Sequence, residues 1–412
     1  MTTELRALRA EDWDEWYGVL DGAFGGALES PAERALWREL AEVERSLCAW
    51  DEDLIIGSAG AFSFRVSVPG GALVPAAGVT MVGVRATHRR RGVLTAMMRR
   101  QLDDVRALGE PLAVLTASEP AIYGRFGYGI ATQSAYAEID TSRVRIDLPQ
   151  GTEGIRLRQS TPEAARSACE GVYAQRVVTR PGMLVRQPGW DRVPLLDPPG
   201  RRKGASPLRC VLAESAGGEV LGYARYAINA KWLPSGADGM VVLTDLEALT
   251  PAAYAALWRY LFELDLTSTL GLSSRAVDDP LWQLVSDVRR CEVGVRDGLH
   301  VRLVDVGAAL EARTYSVPVD AVLEVVDPFC PWNEGRWRLA GDAEGASCER
   351  VDDTEPADLR LGARELGAAY LGGVALSALA GAGRVHELRP GALAEVSTAF
   401  GSDVAPWLPH TF

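Results

Sequence analysis

The stretch Val79–Leu108, VTMVGVRATHRRRGVLTAMMRRQLDDVRAL, constrains the chain more than any other. A short apolar run ends at Val84, and the basic cluster His88-Arg89-Arg90-Arg91-Gly92 follows. Leu94, Met98, Leu102, Val105 and Leu108 then recur at helical spacing up to Gly109. The pattern predicts a strand, a basic glycine-containing turn and a helix. Backbone N–H groups left free at such a helix start, together with the helix dipole, favour an anion. The segment therefore points to an α/β protein that holds a phosphate-bearing ligand.

A chain of 412 residues exceeds one ordinary domain and predicts about two to four. Its net charge of −12 argues against nucleic acid as a partner, because phosphate neutralisation needs surplus Lys and Arg. The same field attracts cationic substrates. Against that background three consecutive arginines need a local reason. Cys48, Cys169, Cys210, Cys291, Cys330 and Cys348 have no CxxC spacing and read as reduced thiols. The four histidines are scattered, so no metal site is expected. No signal pattern opens the chain and no apolar run is long enough to span a membrane, so a cytoplasmic protein is expected.

The order of elements predicts mixed α/β sheets. Helical spacing over Asp12–Phe24 and Pro31–Glu44 precedes strand-like runs at Ser46–Trp50, Leu54–Ser67 and Ala72–Val84; Leu112–Leu115 follows the long helix. Around Asp140 to Gly154 the pattern changes to Ile146-Asp-Leu-Pro-Gln-Gly-Thr-Glu-Gly, which is expected to link domains. A second α/β region repeats the order strand (Met240–Leu246) then helix (Pro251–Leu266), but with neither the arginines nor the glycine. From about His300 alternating strands and Ala/Leu-rich helices predict a third, α+β domain. The boundaries are drawn at 1–145, 146–298 and 299–412.

Arg89-x-x-Gly92 matches the (Gln/Arg)-x-x-Gly-x-(Gly/Ala) pyrophosphate signature of the GNAT acyl-CoA transferases, with Leu94 in place of the small last residue. Gly92 lets the backbone approach a phosphate, and the arginines add charge-assisted hydrogen bonds. On spacing alone the turn serves equally well as a solvated basic helix start. The string Tyr123-Gly-Arg-Phe-Gly-Tyr resembles the superfamily's Tyr-x-x-x-Gly-Phe element. A phenol is protonated at neutral pH and can donate to a thiolate. Packing aromatics are the competing reading of Tyr123 and Tyr128; acid chemistry is assigned to Tyr123 and packing to Tyr128.

Ser118-Glu-Pro-Ala-Ile-Tyr-Gly-Arg-Phe-Gly-Tyr-Gly, Val82-Gly-Val-Arg-Ala-Thr-His-Arg-Arg-Arg-Gly and the three-part length resemble the enhanced intracellular survival (Eis) family of N-acetyltransferases over the whole chain. The resemblance implies two tandem GNAT-like domains, the first active and the second degenerate, followed by a sterol-carrier-protein-like domain. It implies acetyl-CoA as cosubstrate and an amine acceptor, an aminoglycoside-like polyamine or a lysine side chain, in a homo-hexamer. Carried over by position, it implies that Val82, Val84, Arg89, Arg90, Gly92, Val93 and Ser118 bind acetyl-CoA. Tyr123 is then the general acid and the C-terminal carboxylate of Phe412 the general base.

The last residues, Pro406-Trp-Leu-Pro-His-Thr-Phe412, carry aromatics and prolines where most chain ends are polar. His410 is a rival base because its unperturbed pKa is better placed. Asp21, Phe24, Trp37 and Glu119 are the candidates for an acceptor pocket, in which carboxylates meet ammonium groups and aromatic faces cover the rest. Core packing is the competing reading for Trp37.

Overall fold

A computed structural model describes residues 3–26 and 29–412 and resolves them into two compact units. One holds the chain up to Thr132 together with Asp297–Phe412; the other holds Gln133–Arg296.

The first unit contains a seven-stranded sheet of β1 (Glu4–Ala7), β2 (Leu47–Asp51), β3 (Leu54–Ser67), β4 (Leu73–Val84), β5 (Leu112–Thr116), β6 (Gly129–Ile130) and β16 (Leu299–Leu303). The order is β1-β2-β3-β4-β5-β16-β6, and β4–β5 is the parallel pair. That pair is bridged by the helix α3 (Val93–Ala107), while α1 (Trp13–Ala23), α2 (Pro31–Leu40) and the short α4 (Pro120–Tyr123) complete this part. α2 starts where the sequence predicts. Ser30 accepts from the Glu33 N–H, Glu33 reaches back to the Ser30 N–H, and Pro31 takes the first helical position. α3 buries Met97, Met98, Leu102 and Val105 against Ala49, Ala59, Ala77 and Val79 of the sheet. α1 lies on the opposite face, with Trp13, Trp16 and Tyr17 packed on Cys48 and Ile55.

The second unit is built on β7 (Gln133–Asp140), β8 (Arg156–Ser160), β9 (Arg209–Glu214), β10 (Val220–Asn229), β13 (Gly239–Ala248), β14 (Thr267–Arg275) and β15 (Gly294–Asp297), ordered β15-β7-β14-β13-β10-β9-β8. A small hairpin of β11 (Trp232–Leu233) and β12 (Gly236–Ala237) extends from it, and its helices are α5 (Pro162–Val177), α6 (Pro251–Phe262) and α7 (Leu281–Leu284). Here β13 and β14 are the parallel pair, bridged by α6 as β4 and β5 are by α3.

The rest of the first unit is a five-stranded sheet, β19-β18-β17-β20-β21, from β17 (Val319–Val326), β18 (Gly335–Gly341), β19 (Ala346–Val351), β20 (Leu359–Gly362) and β21 (Val385–Glu387). Its helices are α8 (Val306–Glu311), α9 (Ala363–Ala369), α10 (Leu376–Gly381) and α11 (Ala392–Phe400).

Sheet membership does not follow the segment ends at 145/146 and 298/299. β7 pairs with β14 in the second sheet, and β16 returns to pair with β5 and β6 in the first. The segment expected to link domains is instead part of the second unit. Thr152 is buried, and Ile146 bridges to Val285. Among the described residues no helix is long and apolar enough to cross a membrane, and no three His, Cys, Asp or Glu side chains cluster as metal ligands.

Candidate active site

The site begins with a fork between β4 and β5. Their parallel pairing runs from Ala76↔Leu112 to Gly78↔Val114 and stops there, although β4 continues to Val84. The cause lies on the other edge of β4. Against β3 the register slips between Ser58 and Gly60, so Met81 and Val82 stand opposite Ala59 alone. Met81 takes up the extra residue with a left-handed φ of 52°. A bulge of this kind bends its strand and ends local pairing. Among the described residues the main chain of Val79–Val84 therefore has no ladder partner on the β5 side, and an extended ligand could pair there like a strand. Val82 and Val84, both half-buried, lie along this free edge.

Beyond Val84 the chain turns into α3. Arg90 (φ 62°) and Gly92 (φ 85°) are both left-handed, which folds the loop tightly in front of the helix. Gly92 stands at the N-cap and offers no side chain to the helix; the first helical bond is Ala96 N–H to the Gly92 carbonyl. The N–H groups of Val93, Leu94 and Thr95 precede that bond, and no acidic residue occupies the first turn. A Cβ at Gly92 would meet nothing within 4 Å, so space is open before the helix start. Arg89, Arg90 and Arg91 are exposed around it. The Arg89 guanidinium reaches back toward the carbonyls of Val84 and Ala23, each at 3.4 Å. These features fit the pyrophosphate and pantetheine of a coenzyme A thioester.

The second unit closes both features. Thr250 caps α6 by accepting from the Ala253 N–H, and Pro251 removes a donor from the first turn. The opening between β13 and β14 is spanned by the buried Arg275, whose Nη1 donates to the Leu246 carbonyl at 2.8 Å and whose Nε pairs with Asp279 at 2.8 Å.

Tyr123 ends α4, downstream of β5. It is half-buried against the same core that Val82, Val84, Leu94 and Ala117 border, and its ring meets Tyr128 edge-on at 6.0 Å. Burial, and then the charge of Glu119, push its pKa above the ordinary phenol value, so it holds its proton at neutral pH. Tyr128 is fully buried and packs, as the sequence reading assigned it. Ser118 and Glu119 are exposed on the approach to α4.

The glycines of this loop have a role the sequence did not reveal. A Cβ at Gly124 would lie 2.8 Å from the Arg364 Cζ, one at Gly127 2.8 Å from the Arg302 Cζ, and one at Gly129 would collide with the backbone of α9. The loop is thus clamped by C-terminal elements. Arg302 is itself held by the buried Asp327, at 2.6 and 2.8 Å.

The chain's end enters on the α1 face of the sheet. Trp407 and Leu408 are buried, and the half-buried Phe412 sets its ring edge-on to Phe64 at 5.0 Å. A Cβ at Gly78 would come within 3.3 Å of that ring, so Phe412 lies at the residue where β4–β5 pairing ends. Neither Phe64 nor Gly78 carries a sequence signal for this contact.

The acceptor candidates divide. The end of α1, which carries Asp21 and leads into Phe24, is seated on Gly83 of β4, 3.2 Å separating Ala23 Cβ from a Cβ there. Phe24 is 56% exposed, and Asp21 pairs with Arg34 at 3.4 Å. Trp37 packs on the Trp13–Trp16–Tyr17 cluster, the competing reading of that residue. Tyr17, which donates to Glu29 at 2.5 Å, is a polar neighbour the sequence reading did not select.

Comparison with known proteins gives this geometry its family. GNAT acetyltransferase domain models match residues 4–131 and 182–303, and a sterol carrier protein domain model matches 306–409. N-acetyltransferase Eis of Mycobacterium tuberculosis is 32% identical over 420 residues, covering 98% of each chain. The chain belongs to the Eis family of GNAT N-acetyltransferases. The crystal structure of Eis1 from Mycobacterium abscessus is similar over the whole of both chains, with a TM-score of 0.85 and 34% identity. An uncharacterized N-acetyltransferase of Streptomyces avermitilis is 63% identical over 412 residues, the full length of each. As an Eis-family protein the chain is an acyltransferase that uses acetyl-CoA, with two GNAT domains followed by a sterol-carrier-protein-like domain.

Proposed function

We propose that the chain acetylates amines of the polyamine, aminoglycoside-like class at the fork of its first sheet, with Tyr123 as general acid and the α-carboxylate of Phe412 as general base. The observation that carries this reading is the seat of Phe412 at Gly78, on the face opposite α3. A thioester laid along Val79–Val84, its pyrophosphate at Gly92 and Val93, has its acyl end at the fork. The neutral amine attacks the thioester carbonyl; the N–C bond forms and the C–S bond breaks. The Phe412 carboxylate takes the amine proton, and the Tyr123 hydroxyl gives its own to the departing thiolate. Asp21 and Glu119 attract the cationic acceptor and Phe24 covers its apolar surface. The same reading has one donor site per chain, because Arg275 spans the second fork and Thr250 caps the second helix start, and takes the working form as a cytoplasmic homo-hexamer.

A lysine side chain is the alternative acceptor for the same site; comparing turnover on small polyamines with that on folded protein substrates separates the two. A lipid-carrying role is disfavoured by the buried cation Arg313, which lies with Tyr315, Tyr370 and Phe400 inside the last domain. The test of the acid is Tyr123→Phe. It keeps the edge contact with Tyr128, and it should lower kcat about 100-fold or more while leaving the KM for acetyl-CoA nearly unchanged. Normal turnover in this variant removes Tyr123 from the mechanism.

A further inference from the structure

The sterol-carrier-like domain contains a buried cation with no acid beside it among the described residues. Arg313 is 1% exposed, and its guanidinium spends its donors on main-chain carbonyls. Nη1 donates to Tyr370, Nη2 to Phe400 at 2.9 Å and Nε to Thr314 at 3.1 Å. The rings of Tyr315, Phe400 and Tyr370 surround it at 4.7, 5.0 and 6.0 Å. Burial pulls its pKa below the usual guanidinium value. Taking a cation out of water without a carboxylate is costly, so its presence asks for a reason.

Its two long-range partners supply one. Tyr370 caps the C-terminus of α9, and Phe400 is the last residue of α11. Helix C-termini present unpaired carbonyls and the negative end of the dipole, and a planar fork of donors can meet two of them at once. Each helix leads to one half of the proposed acid–base pair. α9 is pressed onto the Tyr123 loop: a Cβ at Gly129 would collide with the backbone of α9, one at Gly367 with the Val301 carbonyl of the neighbouring β16, and Arg364 lies on Gly124. α11 runs into the tail. Ser402 N–H donates to the Gly372 carbonyl at 3.3 Å, Pro406 rests on Gly373, and Trp407 and Leu408 are buried on the way to Phe412.

We infer that Arg313 is a positioning residue that fixes the placement of Tyr123 relative to the C-terminal carboxylate, by tying the ends of α9 and α11 through their carbonyls. It touches neither substrate nor the reacting atoms. The inference rests on the acid–base pair proposed above.

The test uses the full chain with Arg313→Lys, which keeps the charge but not the fork, and Arg313→Met, which removes the donors. Three quantities are read: kcat, the KM for acetyl-CoA, and the rate at which carboxypeptidase releases Phe412 from the folded protein. Both variants should lose about 10-fold or more in kcat. The KM should stay within about 2-fold, because the free edge of β4 and the Arg89–Val93 turn lie on other elements. Phe412 should be released faster than from wild type. Wild-type kcat, or a wild-type rate of Phe412 release, in either folded variant overturns the inference. If neither folds, Gly372→Ala tests the same joint, since its Cβ would lie 2.7 Å from Ser402. It must then show both faster release and lower kcat. Tyr123→Phe and a deletion of Phe412 run in parallel. If both turn over normally the acid–base reading itself fails; if they are inactive while the Arg313 variants are normal, only the present inference does.

Discussion

Deleting Phe412 alone should separate the chemistry of the chain's end from its packing. The deletion moves the α-carboxylate back to Thr411. One residue of extended chain spans about 3.3–3.6 Å, more than the length of a hydrogen bond, so the carboxylate leaves the place at the fork proposed for it. The deletion also removes the ring that meets Phe64 at 5.0 Å. An edge-on aromatic pair is worth about 0.5–1.5 kcal/mol, so this part costs the fold a few degrees in Tm at most. Phe412→Ala loses the same ring and keeps the carboxylate in register. The two variants therefore share the packing loss and differ in the base. Even if the whole of that pair energy reached the transition state, Phe412→Ala would lose only about 10-fold through it. Loss of a general base costs about 10²–10⁴, which places the deletion at least about 100-fold below Phe412→Ala in kcat. Thiol release from saturating acetyl-CoA measures kcat, and thermal unfolding checks that both variants remain folded. Equal kcat in the two, or a deletion variant near wild type, refutes the reasoning and returns His410 as the candidate base.

Three further predictions test other parts of the site. Gly92→Ala should strain the left-handed φ by about 1–2 kcal/mol and place a methyl where a phosphate would approach, without a clash inside the protein; the KM for acetyl-CoA should rise about 10-fold at nearly constant kcat in steady-state kinetics. The raised pKa of Tyr123 keeps the acid protonated through neutral pH, so any loss of kcat from its ionisation begins above about pH 10; removing the neighbouring negative charge with Glu119→Gln eases that ionisation and should shift this alkaline limb of the kcat profile to lower pH. Arg302→Met leaves Asp327 buried without its cation and should cost about 3–5 kcal/mol in urea unfolding, much of it recovered when Asp327→Leu is added.

What could be read from the sequence was local. The strand, basic turn and helix of Val79–Leu108 depend on period and on one glycine, and they appear as β4, the Arg89–Gly92 loop and α3. Ser30-Pro31 marked the start of α2 for the same reason. The repeated strand–helix order at Met240–Leu266 was legible because it needs only the two periodicities, and the lack of glycine and arginine there pointed to a closed helix start. Long-range pairing left no such mark. Nothing in Gln133–Asp140 or Leu299–Leu303 tells which sheet each strand joins. The bulge at Met81 has no glycine to announce it. The glycines after Tyr123 look like a catalytic motif, yet Gly124 and Gly129 are small because Arg364 and α9 press on them. Trp37 was legible only as an aromatic on an amphipathic helix, which suits a pocket wall and the core alike; it packs, half-buried, against Trp13, Trp16 and Tyr17. That Phe412 reaches Gly78 follows from a tail route set by Gly372, Gly373 and the burial of Trp407, none of it periodic.

The central claim is that this chain moves an acetyl group from acetyl-CoA to an amine by direct transfer at the first fork. The most direct measurement is thiol release from acetyl-CoA by protein bearing no added C-terminal residues, with and without a multi-amine aminoglycoside such as kanamycin, with the acceptor's mass followed in the same reaction. The account predicts release that depends on the acceptor, one acetyl group gained per thiol, and collapse of both signals in Tyr123→Phe. Release independent of any amine, or transfer that persists undiminished in Tyr123→Phe, contradicts it.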